Sequence, residues 1–459
     1  MIVRFYVLLV LLCWGAVQVA AQPDTLRVRL FDRLSPETLE IMAVEAEVLL
    51  FAENYTQPLL RLPAGAQLQI ARRGPELQLR TPGGTLFARW IRLHPTSNGR
   101  LRLTAQRGPQ SIGPFTYSGW LRISPKEDGA GLYVINHVAF EEYVAAVVAR
   151  EHQFDDLEST KALAVAIRTY ALRRILLPDT AQEIVDHEIH QMYEGIDRVT
   201  PLIREAVEQT RGEVLTYQGA LIEAVYSASN GGHTADNDAV WAGLPQPYLR
   251  GRPDPYDQDG PYQHWEASVP RDRLLQLLSQ RYGTRITGFR ISERSTDGRV
   301  TLIELLRENS PPLRIRANEF RLLVNDHFGR HTLRSTLFQA RREGNTYRFR
   351  GRGFGHGVGL SQYGALEMAR QGHDYRQILA FYYPGTAITR YEAGPLLAAQ
   401  QPVAAPPIPQ SAKESPVLAP SKAAEGSLEK STPRIRPAPG WGAPSESPAP
   451  TPPRRRIGW

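Results

Sequence analysis

An alanine-rich segment, "STKALAVAIRTYALRRIL" at residues 159–176, limits the folds that are open to this chain. It contains neither Gly nor Pro, and Ser159 or Thr160 can cap its start, so it predicts an α-helix. Every residue from Ala162 to Ile167 is apolar, which requires more than one face of the helix to be covered. The four alanines of the segment allow neighbouring backbones to approach closely. The sequence therefore predicts a helix in the middle of a core.

The rest of the chain indicates an α+β fold. At 459 residues the chain is long enough for two or more domains. Residues 22–114 contain short alternating stretches such as "TLRVRL" and "RLRLTA", which predict a β-rich N-terminal region. Two further strand-like runs follow, "FTYSGWLRISP" and "GLYVINHVAFEEYV". Beyond residue 200, helix-like and strand-like runs alternate without regular βαβ repeats, so residues 115–395 are expected to form one mixed domain.

The first 21 residues have the pattern of a secretory signal peptide. Arg4 precedes an apolar run, and small residues lead to a cleavage point after Ala21. We therefore expect export to the periplasm or the cell surface. The sole cysteine, Cys13, lies in this segment after a large leucine, where a lipid-attachment signal requires a small residue. The mature chain is expected to have no disulfide and no thiolate zinc site.

Residues 396–459 form a second compositional segment. Fourteen of the 36 prolines lie after residue 400, among Ala, Ser, Lys and Arg, which predicts a disordered basic tail. Its closing "PPRRRIGW" suits an anionic surface, the alternative being a solvated solubility tail. The signal and the tail together leave residues 22–395 with a formal charge of +2. No nucleic-acid partner is expected for this folded part.

A glycine-rich stretch, "GRGFGHGVGLSQYGALEMARQG" at residues 351–372, is the most unusual in the chain. Its alternating glycines fit neither a regular helix nor a regular strand. They predict open space beside His356 and Ser361-Gln362-Tyr363, where an extended ligand could approach the backbone. A phosphate-binding loop is the rival interpretation, but the lysine of a P-loop is missing.

Two polar stretches are further candidates. "YSASNGGHTADNDAVW", residues 226–241, groups hydroxyls and an amide around a Gly-Gly turn, suited to sugar hydroxyls or to a self-bonded loop. In "DHEIHQMYEG", residues 186–195, His187 and His190 could bind a metal if helical, with Asp186 or Glu183 nearby; ordinary hydrogen-bonding histidines are the alternative. The chain has no G-x-S-x-G elbow, which argues against a serine hydrolase.

Glu151 is a single carboxylate between the apolar run "YVAAVVAR" and the alanine-rich segment. A carboxylic acid surrounded by apolar residues loses solvation in its charged form, so its pKa rises. Such a group can act as a general acid toward a glycosidic oxygen. The alternative is a surface carboxylate at a helix start, stabilised by the helix dipole.

These segments together resemble the SpoIID/LytB family over residues 115–390. The matching stretches include "YVAAVVAREHQFDDLESTKALAVAIRTYAL", "HQMYEG", "YSASNGGHTADNDAVWAGLPQPYLRG" and "GRGFGHGVGLSQYGALEMARQG". The resemblance implies a peptidoglycan lytic transglycosylase that cuts between N-acetylmuramic acid and N-acetylglucosamine and leaves a 1,6-anhydro end. Sporulation members prefer strands without stem peptides. The position of the family's catalytic glutamate is Glu151, and Asp155, Asp156 and Glu158 would be candidates for a second carboxylate if the reaction were hydrolysis.

The resemblance also implies a substrate-binding set and possible partners. The set comprises His356, Ser361, Gln362, Ser229, Gly231, Gly232 and Thr234, which would line the glycan groove, and Gln191 and Tyr193, which would support it. The expected partner is the peptidoglycan glycan strand. The alternatives to a lyase are a hydrolytic muramidase and a non-catalytic, glycan-binding enhancer of a cell-wall amidase.

Two departures from the family pattern stand out. The family commonly has Pro-Ser-Glu-Met where this chain reads Ala149-Arg150-Glu151-His152, so His152 could alter the pKa or the partner of the glutamate. Some members bind zinc through two cysteines and a histidine before the position of Gln191, and those cysteines are missing. We therefore expect no metal and no cofactor, a histidine-based site being the alternative.

Overall fold

The computed structural model describes residues 25–81, 83–152, 154–177 and 182–391, which belong to one compact unit. The predicted signal peptide and the predicted tail from residue 396 lie outside these residues. Helices and mostly antiparallel sheets confirm the α+β class. The helices of the described residues are α1 (Phe140–Glu151), α2 (Leu157–Leu176), α3 (Pro201–Gln209), α4 (Asn237–Val240), α5 (Arg271–Tyr282), α6 (Ala317–Phe328), α7 (Gln362–Arg370) and α8 (Tyr375–Tyr382).

Two large sheets account for the N-terminal part. A seven-stranded sheet has the order β13-β1-β12-β11-β8-β3-β4, and a six-stranded sheet has the order β10-β9-β2-β5-β6-β7. Their strands are β1 (Thr25–Leu30), β2 (Thr38–Val44), β3 (Val48–Ala52), β4 (Leu60–Leu62), β5 (Gln67–Arg73), β6 (Glu76–Thr81), β7 (Gly84–Ala88), β8 (Ile91–Pro95), β9 (Arg100–Arg107), β10 (Gln110–Tyr117), β11 (Trp120–Pro125), β12 (Leu132–Ala139) and β13 (Glu183–Val185). The seven-stranded sheet combines strands from both sides of residue 114.

Smaller sheets make up the remainder. They have the orders β15-β14-β24, β16-β23, β17-β22-β21 and β18-β19-β20. Their strands are β14 (Glu213–Tyr217), β15 (Ala220–Leu221), β16 (Tyr226–Ser227), β17 (Trp265–Pro270), β18 (Ile286–Arg294), β19 (Val300–Arg307), β20 (Ser310–Arg316), β21 (Phe338–Glu343), β22 (Thr346–Gly351), β23 (Leu360–Ser361) and β24 (Ala387–Arg390).

Two hydrophobic cores are present in the described residues. The larger joins both N-terminal sheets to α1, α2, α3, α7 and α8. The smaller lies between Trp265 and Phe349 and is formed by α5, α6 and the sheets built from β17 to β22. The second core is therefore contributed by residues 265–349, which we call the inserted segment. In the chain it lies between the polar stretch 226–241 and the glycine-rich stretch 351–372. Of the described helices, none combines the length and hydropathy needed to cross a lipid bilayer.

The alanine-rich segment forms α2 and is surrounded on several sides, as predicted. Every residue from Ala162 to Ile167 is fully buried, and α2 packs against α1, α3, α7, α8 and β14. The helix begins earlier than predicted, at Leu157, because Asp156 is its N-cap and accepts a hydrogen bond from the Ser159 backbone N–H at 2.7 Å.

The run "GLYVINHVAFEEYV" is not a single strand. The strand β12 ends at Ala139, and Phe140 begins α1. The alternating pattern of β12 gives way to the run Val144–Ala149, all of which is buried where α1 packs against α2 and α3. The strand pattern predicted that β12 would continue through this run. The run forms a helix instead, because all of its apolar residues are packed against other helices.

Arg168 ties the central helix to its neighbours. Its guanidinium is fully buried in α2 and binds both carboxylate oxygens of Glu141 in α1, at 2.7 to 3.2 Å. It also donates to the backbone carbonyls of Glu213 at 3.1 Å and Val207 at 3.4 Å. A buried charge needs such a complete set of partners because it has lost its hydration.

We expect Arg168→Met to lower the free energy of unfolding by about 3 to 5 kcal/mol, because it leaves the Glu141 carboxylate largely buried without its partner. The matched control is Arg204→Met, which removes an exposed ion pair between α3 and Glu142 of α1. This control should cost less than about 1 kcal/mol. Urea unfolding followed by circular dichroism measures both, and equal losses would contradict the assignment of Arg168 as the central tie.

Candidate functional site

The polar stretch 226–241 and the glycine-rich stretch 351–372 pair with each other and are called the paired loops below. Strand β16 pairs in parallel with β23, and Ser229 and Phe354 exchange backbone hydrogen bonds of 3.0 and 2.8 Å. The Ala235 N–H donates to the Gly357 carbonyl at 2.8 Å. Backbone hydrogen bonds thereby join two segments that are more than 120 residues apart in the chain, beside α7.

Asp257 joins the two loops through its side chain. Its buried carboxylate accepts from Ser229 Oγ at 3.0 Å, Ser361 Oγ at 2.8 Å and the Asn230 N–H at 2.5 Å. Burial raises the pKa of Asp257 to about 6, against the opposing effect of these donors. Sequence reasoning missed this residue. The available signal was the three aspartates of "PDPYDQDG", residues 253–260, which come shortly after the stretch "YSASNGGHTADNDAVWAGLPQPYLRG".

Asp254 makes the equivalent connection to α8. It accepts from Asn230 Nδ2 at 2.6 Å and from the Tyr382 hydroxyl at 2.8 Å, both through Oδ2. Its other oxygen accepts from the Tyr256 N–H at 3.0 Å. Burial raises the pKa of Asp254 as well. The loops are thus fixed by two carboxylates with complementary sets of donors.

The glycines of the third segment are explained by close packing. Gly357 has a φ of +77°, and a Cβ there would lie 2.3 Å from the Arg299 guanidinium. At Gly355 a Cβ would lie 2.6 Å from the Ser227 Cβ. The predicted open space beside these two glycines is therefore wrong, since protein atoms fill it.

Arg299 comes from the inserted segment and reaches under both loops. Its buried guanidinium donates to the backbone carbonyl of Asn230 and, at 3.2 Å, to that of His233. Its Nε lies 2.8 Å from the Asp297 carboxylate. The inserted segment is therefore part of the floor of the candidate site.

Glu151 is the last residue of α1 rather than the first of a helix. Its side chain is partly buried, and Oε1 accepts from the Met192 N–H at 3.2 Å. Gln362, the first residue of α7, donates from Nε2 to the Glu151 backbone carbonyl at 3.1 Å. The structure thus brings Glu151 together with Met192 of the stretch 186–195 and with Gln362 of the glycine-rich stretch.

Burial raises the pKa of Glu151 to about 7. Loss of hydration is the main cause, the Met192 N–H and Arg150 act in the opposite direction, and Glu188 and Glu194 raise the pKa further. The position at the C-terminal end of a helix also disfavours a negative charge. At neutral pH the side chain therefore exists as both acid and carboxylate, as an acid-base group requires.

His152 does not act on Glu151 directly. Its Nε2 lies 3.3 Å from Ser159 Oγ, and burial lowers the pKa of His152 to about 4. The ring is therefore neutral at physiological pH. Arg150 is held in an ion pair with Glu194, with 2.7 Å between Nε and Oε2. The two residues on either side of Glu151 are therefore a cation that is already paired and a neutral ring.

The acidic residues that follow Glu151 are engaged elsewhere. Asp156 caps α2, and Glu158 contacts Lys161 at 2.6 Å and accepts from the Tyr375 N–H at 2.8 Å. Asp155 is exposed. The structure shows no hydrogen bond between these side chains and Glu151 within its described residues.

Gln191 and Tyr193 lie in the interior. Gln191 Oε1 accepts from the Tyr143 hydroxyl at 3.0 Å, and its Nε2 donates to the Tyr226 hydroxyl at 3.3 Å. The Tyr193 hydroxyl donates to Asn136 Oδ1 at 2.7 Å. Both side chains are about 1% exposed, so they support the structure behind the site.

His356 is partly exposed and has a defined tautomer. Its Nδ1 accepts from the Val358 N–H at 3.1 Å, so the proton of the neutral ring lies on Nε2. Burial lowers the pKa of His356 to about 3, with Arg321 and Arg299 acting in the same direction. The ring lies 4.9 Å from that of Trp241. His356 is therefore a neutral polar group at the loop surface.

The other predicted binding residues mostly shape the loops. The hydroxyls of Ser229 and Ser361 face Asp257, and Thr234 Oγ1 accepts from the Arg252 N–H at 2.9 Å. Gln362 is nearly buried, whereas Gly232 is partly exposed. Gly231 and Gly232 have positive φ values, as the turn requires. Their contacts with substrate remain predictions.

A cavity of about 380 Å³ with aromatic walls lies next to Tyr363, the residue that follows Gln362. Its wall includes Phe154, Tyr256 and Tyr363. Phe154 packs edge-on against His152 at 4.6 Å between ring centroids and against Tyr363 at 4.9 Å. The cavity is therefore lined by the third residue after Glu151 and by the residue after Gln362, while Glu151 itself is not part of its lining. Aromatic walls with a few polar groups are typical of ligand sites.

The histidine pair does not have the helical geometry that the alternative, a histidine-based metal site, requires. Residues 186–190 form a turn rather than a helix. His187 Nε2 faces Asp32 Oδ2 at 3.2 Å, and His190 Nδ1 accepts from the Val185 N–H at 2.9 Å. Among the described residues, no group of three His, Cys, Asp or Glu side chains is arranged to hold a metal. The residues present therefore do not fit the zinc site of the cysteine-containing members.

Family models match two parts of the chain. The stage II sporulation protein (SpoIID) model matches residues 128–217, which include Glu151, α2 and the Gln191 segment. A domain of unknown function, DUF8618, matches residues 256–359, which include the second core, Asp257 and Arg299. The second match thus coincides with the inserted segment.

Individual relatives agree with the first model. An uncharacterized protein of Brachyspira hyodysenteriae is 32% identical over 288 residues, 61% of this chain and 74% of the relative. The stage II sporulation protein D of Bacillus amyloliquefaciens is 30% identical over 279 residues, 56% and 76% of the two chains. The amidase enhancer of Bacillus subtilis is 30% identical over 284 residues, but these cover only 38% of its length and 51% of this chain. The extent of these matches and the shared motifs establish that the chain belongs to the SpoIID/LytB family.

Proposed function

We propose that the protein acts on the bacterial cell wall as an exported peptidoglycan lytic transglycosylase, with Glu151 as its acid-base group. The observation that carries the proposal is the Glu151 carboxyl itself. Its pKa is raised to about 7, it is the last residue of α1, and Phe154, three residues later, lines an aromatic-walled cavity. Family membership supports a role at the cell wall, and the glycan strand is the proposed substrate.

The proposed reaction needs one carboxyl group. Protonated Glu151 donates to the glycosidic oxygen while the bond to the anomeric carbon of N-acetylmuramic acid breaks and an oxocarbenium-like centre develops. The resulting carboxylate then takes the proton of the sugar's own 6-hydroxyl, whose oxygen bonds to the anomeric carbon and closes the 1,6-anhydro ring. Glu151 returns to its acid form. Neither a metal nor a cofactor takes part.

The contacts of Glu151 suit both halves of this cycle. Oε1 accepts from the Met192 N–H, which leaves Oε2 to carry the proton. The same N–H and the nearby Arg150 favour the carboxylate form once the proton has been transferred. The engagement of Asp156 and Glu158 elsewhere supports a mechanism without a second carboxylate.

A second candidate is a glycan-binding protein that enhances a cell-wall amidase without cutting glycan. The match to the Bacillus subtilis amidase enhancer over half of this chain favours it. Such a protein would use the cavity and the paired loops but would not need the raised pKa of Glu151. An amidase partner belongs to this second candidate.

We expect Glu151→Gln to reduce release of anhydro-ended fragments by about 10²- to 10⁴-fold, because the amide cannot transfer the proton. Mass spectrometry of glycan strands with and without stem peptides measures the products. Asp155→Asn, which changes an exposed carboxylate four residues after Glu151, is the control and should retain activity. Fragments with reducing ends would indicate a muramidase, and strand binding without cutting by the wild type would favour the enhancer.

The proposed acid form sets the pH dependence of the reaction. Only protonated Glu151 can donate a proton to the glycosidic oxygen. The part of the kcat/KM profile that Glu151 controls should therefore be constant below pH 7 and fall about tenfold per pH unit above it. Initial rates of anhydro-product formation between pH 5 and 9 give the profile, with Asp155→Asn as the reference. An activity that rises through pH 7 to 9 would rule out Glu151 as the acid.

Stability provides a test of the raised pKa that does not depend on turnover. Because the pKa of Glu151 is about 7 in the fold against an ordinary value of 4.5, its stabilising contribution is full below pH 4.5 and is lost as the pH rises through 7. Glu151→Gln should therefore gain about 1 to 3 kcal/mol over wild type between pH 4.5 and 8. Urea unfolding of both proteins at the two pH values isolates the effect, because Asp257 and the other carboxyls cancel. An unchanged difference would show that the pKa is not raised.

A further inference from the structure

The N-terminal β region carries a concentration of positive charge that the near-neutral total conceals. Residues 25–139 contain fourteen Lys or Arg against nine Asp or Glu. Four of these arginines, Arg72, Arg73, Arg80 and Arg107, line one cleft of about 470 Å³. We call it the arginine cleft. It lies in the N-terminal sheets, and none of the residues around Glu151 contributes to its lining.

Sheet register explains why the arginines converge. Thr38 of β2, Ala71 of β5 and Gln78 of β6 are cross-strand neighbours on the outward face of the six-stranded sheet. Arg73 and Arg80 lie on the same face because side chains alternate along each strand. The turn between β11 and β12 forms the opposite wall with Gly129, Ala130 and Gly131.

The guanidinium groups of the cleft bond mainly to neutral acceptors. Arg73 Nε donates to Gln78 Oε1 at 2.9 Å, and Arg80 donates to Gln69 Oε1 at 3.4 Å. Arg72 donates to the Gly129 carbonyl, and Arg107 donates to the Ala130 carbonyl at 2.8 Å.

One carboxylate belongs to the lining of the arginine cleft, that of Glu37, whose oxygen is 3.8 Å from Arg107 Nε. Glu76, the cross-strand neighbour of Arg73, lies outside the lining. The lining therefore contains four cations and one acid. The arginine cleft is therefore prepared for an anion that carries several charges.

The chemistry of the lining selects among anions. All the cations are arginines, whose planar donor forks match phosphate oxygens in pairs. A cleft of this size holds a short stretch of polymer, so several charges must come from closely spaced groups. A phosphodiester chain has one charge at every link. The lining contains no aromatic side chain, whereas proteins that bind single-stranded nucleic acids stack bases on aromatic rings.

From these observations we infer that the arginine cleft binds a phosphodiester polymer with a non-aromatic, polyol repeat. Arg72 and Arg107 hold the wall of the cleft through backbone carbonyls, and Arg73 and Arg80 supply the exposed donors. The site is separate from the proposed glycan chemistry and does not depend on it.

The test uses the purified chain with its basic tail and a fluorescein-labelled glycerol-phosphate hexamer, followed by fluorescence anisotropy. Arg73→Gln combined with Arg80→Gln should raise the Kd about tenfold and reduce its dependence on salt concentration. The matched control is Arg89→Gln with Arg102→Gln, two exposed arginines of the same region outside the cleft. This control should bind within about twofold of wild type. Thermal unfolding of each variant verifies that the fold is retained.

Several outcomes would overturn the inference. Equal weakening by the control pair would show diffuse attraction, and unchanged binding by the cleft pair would exclude the site. Loss of binding on changing Arg454, Arg455 and Arg456 together to Gln would assign it to the tail. A hexaglutamate or a single-stranded DNA hexamer that binds as tightly as the glycerol phosphate would refute the phosphodiester or the polyol part, respectively.

Discussion

The candidate site depends on the carboxylate of Asp257. Four donors from two distant segments converge on it, the hydroxyls of Ser229 and Ser361 and the N–H groups of Asn230 and Gly231. Desolvation of this group would be costly without them, so each loop is stabilised by the presence of the other. The bond from Ser361 to Asp257 also fixes the start of α7. Gln362, the first residue of that helix, donates from there to the backbone carbonyl of Glu151.

Glu151 occupies a position where opposing effects nearly balance. Burial and the end of α1 favour its neutral form, while the Met192 N–H and Arg150 favour the carboxylate. Stronger burial would hold the proton permanently, and a full ion pair would remove it. Pairing of Arg150 with Glu194 weakens the cation next to Glu151 and thereby helps keep its pKa near 7. His152, buried and neutral, adds no further charge.

Local patterns in the sequence predicted much of the architecture. The alternation of β1 and β9 and the burial of α2 both follow from side-chain periodicity. The start of α1 at Phe140 was missed because an aromatic and β-branched run continues past the end of β12. Periodicity alone cannot mark where a strand gives way to a helix when both are buried.

The residues missed at the site share a different property. Asp257 and Arg299 bind residues of the 226–241 stretch that lie at least 26 and 66 residues away in the chain, and neither belongs to a recognisable local pattern. Their roles follow from the way in which the inserted segment packs under the loops. Gly357 shows the reverse case, since its unusual spacing was visible but its cause, the Arg299 guanidinium, was not.

The inserted segment therefore has a structural consequence for the site. Its own core, between Trp265 and Phe349, stabilises the strand β19 that follows Arg299, and the guanidinium then fixes the carbonyls of Asn230 and His233. Those carbonyls belong to the same turn whose N–H groups face Asp257. Movement of the inserted segment would consequently shift the turn from one side while Asp257 holds it from the other. The geometry around Glu151 is thus coupled, through α7 and the paired loops, to the packing of a second hydrophobic core.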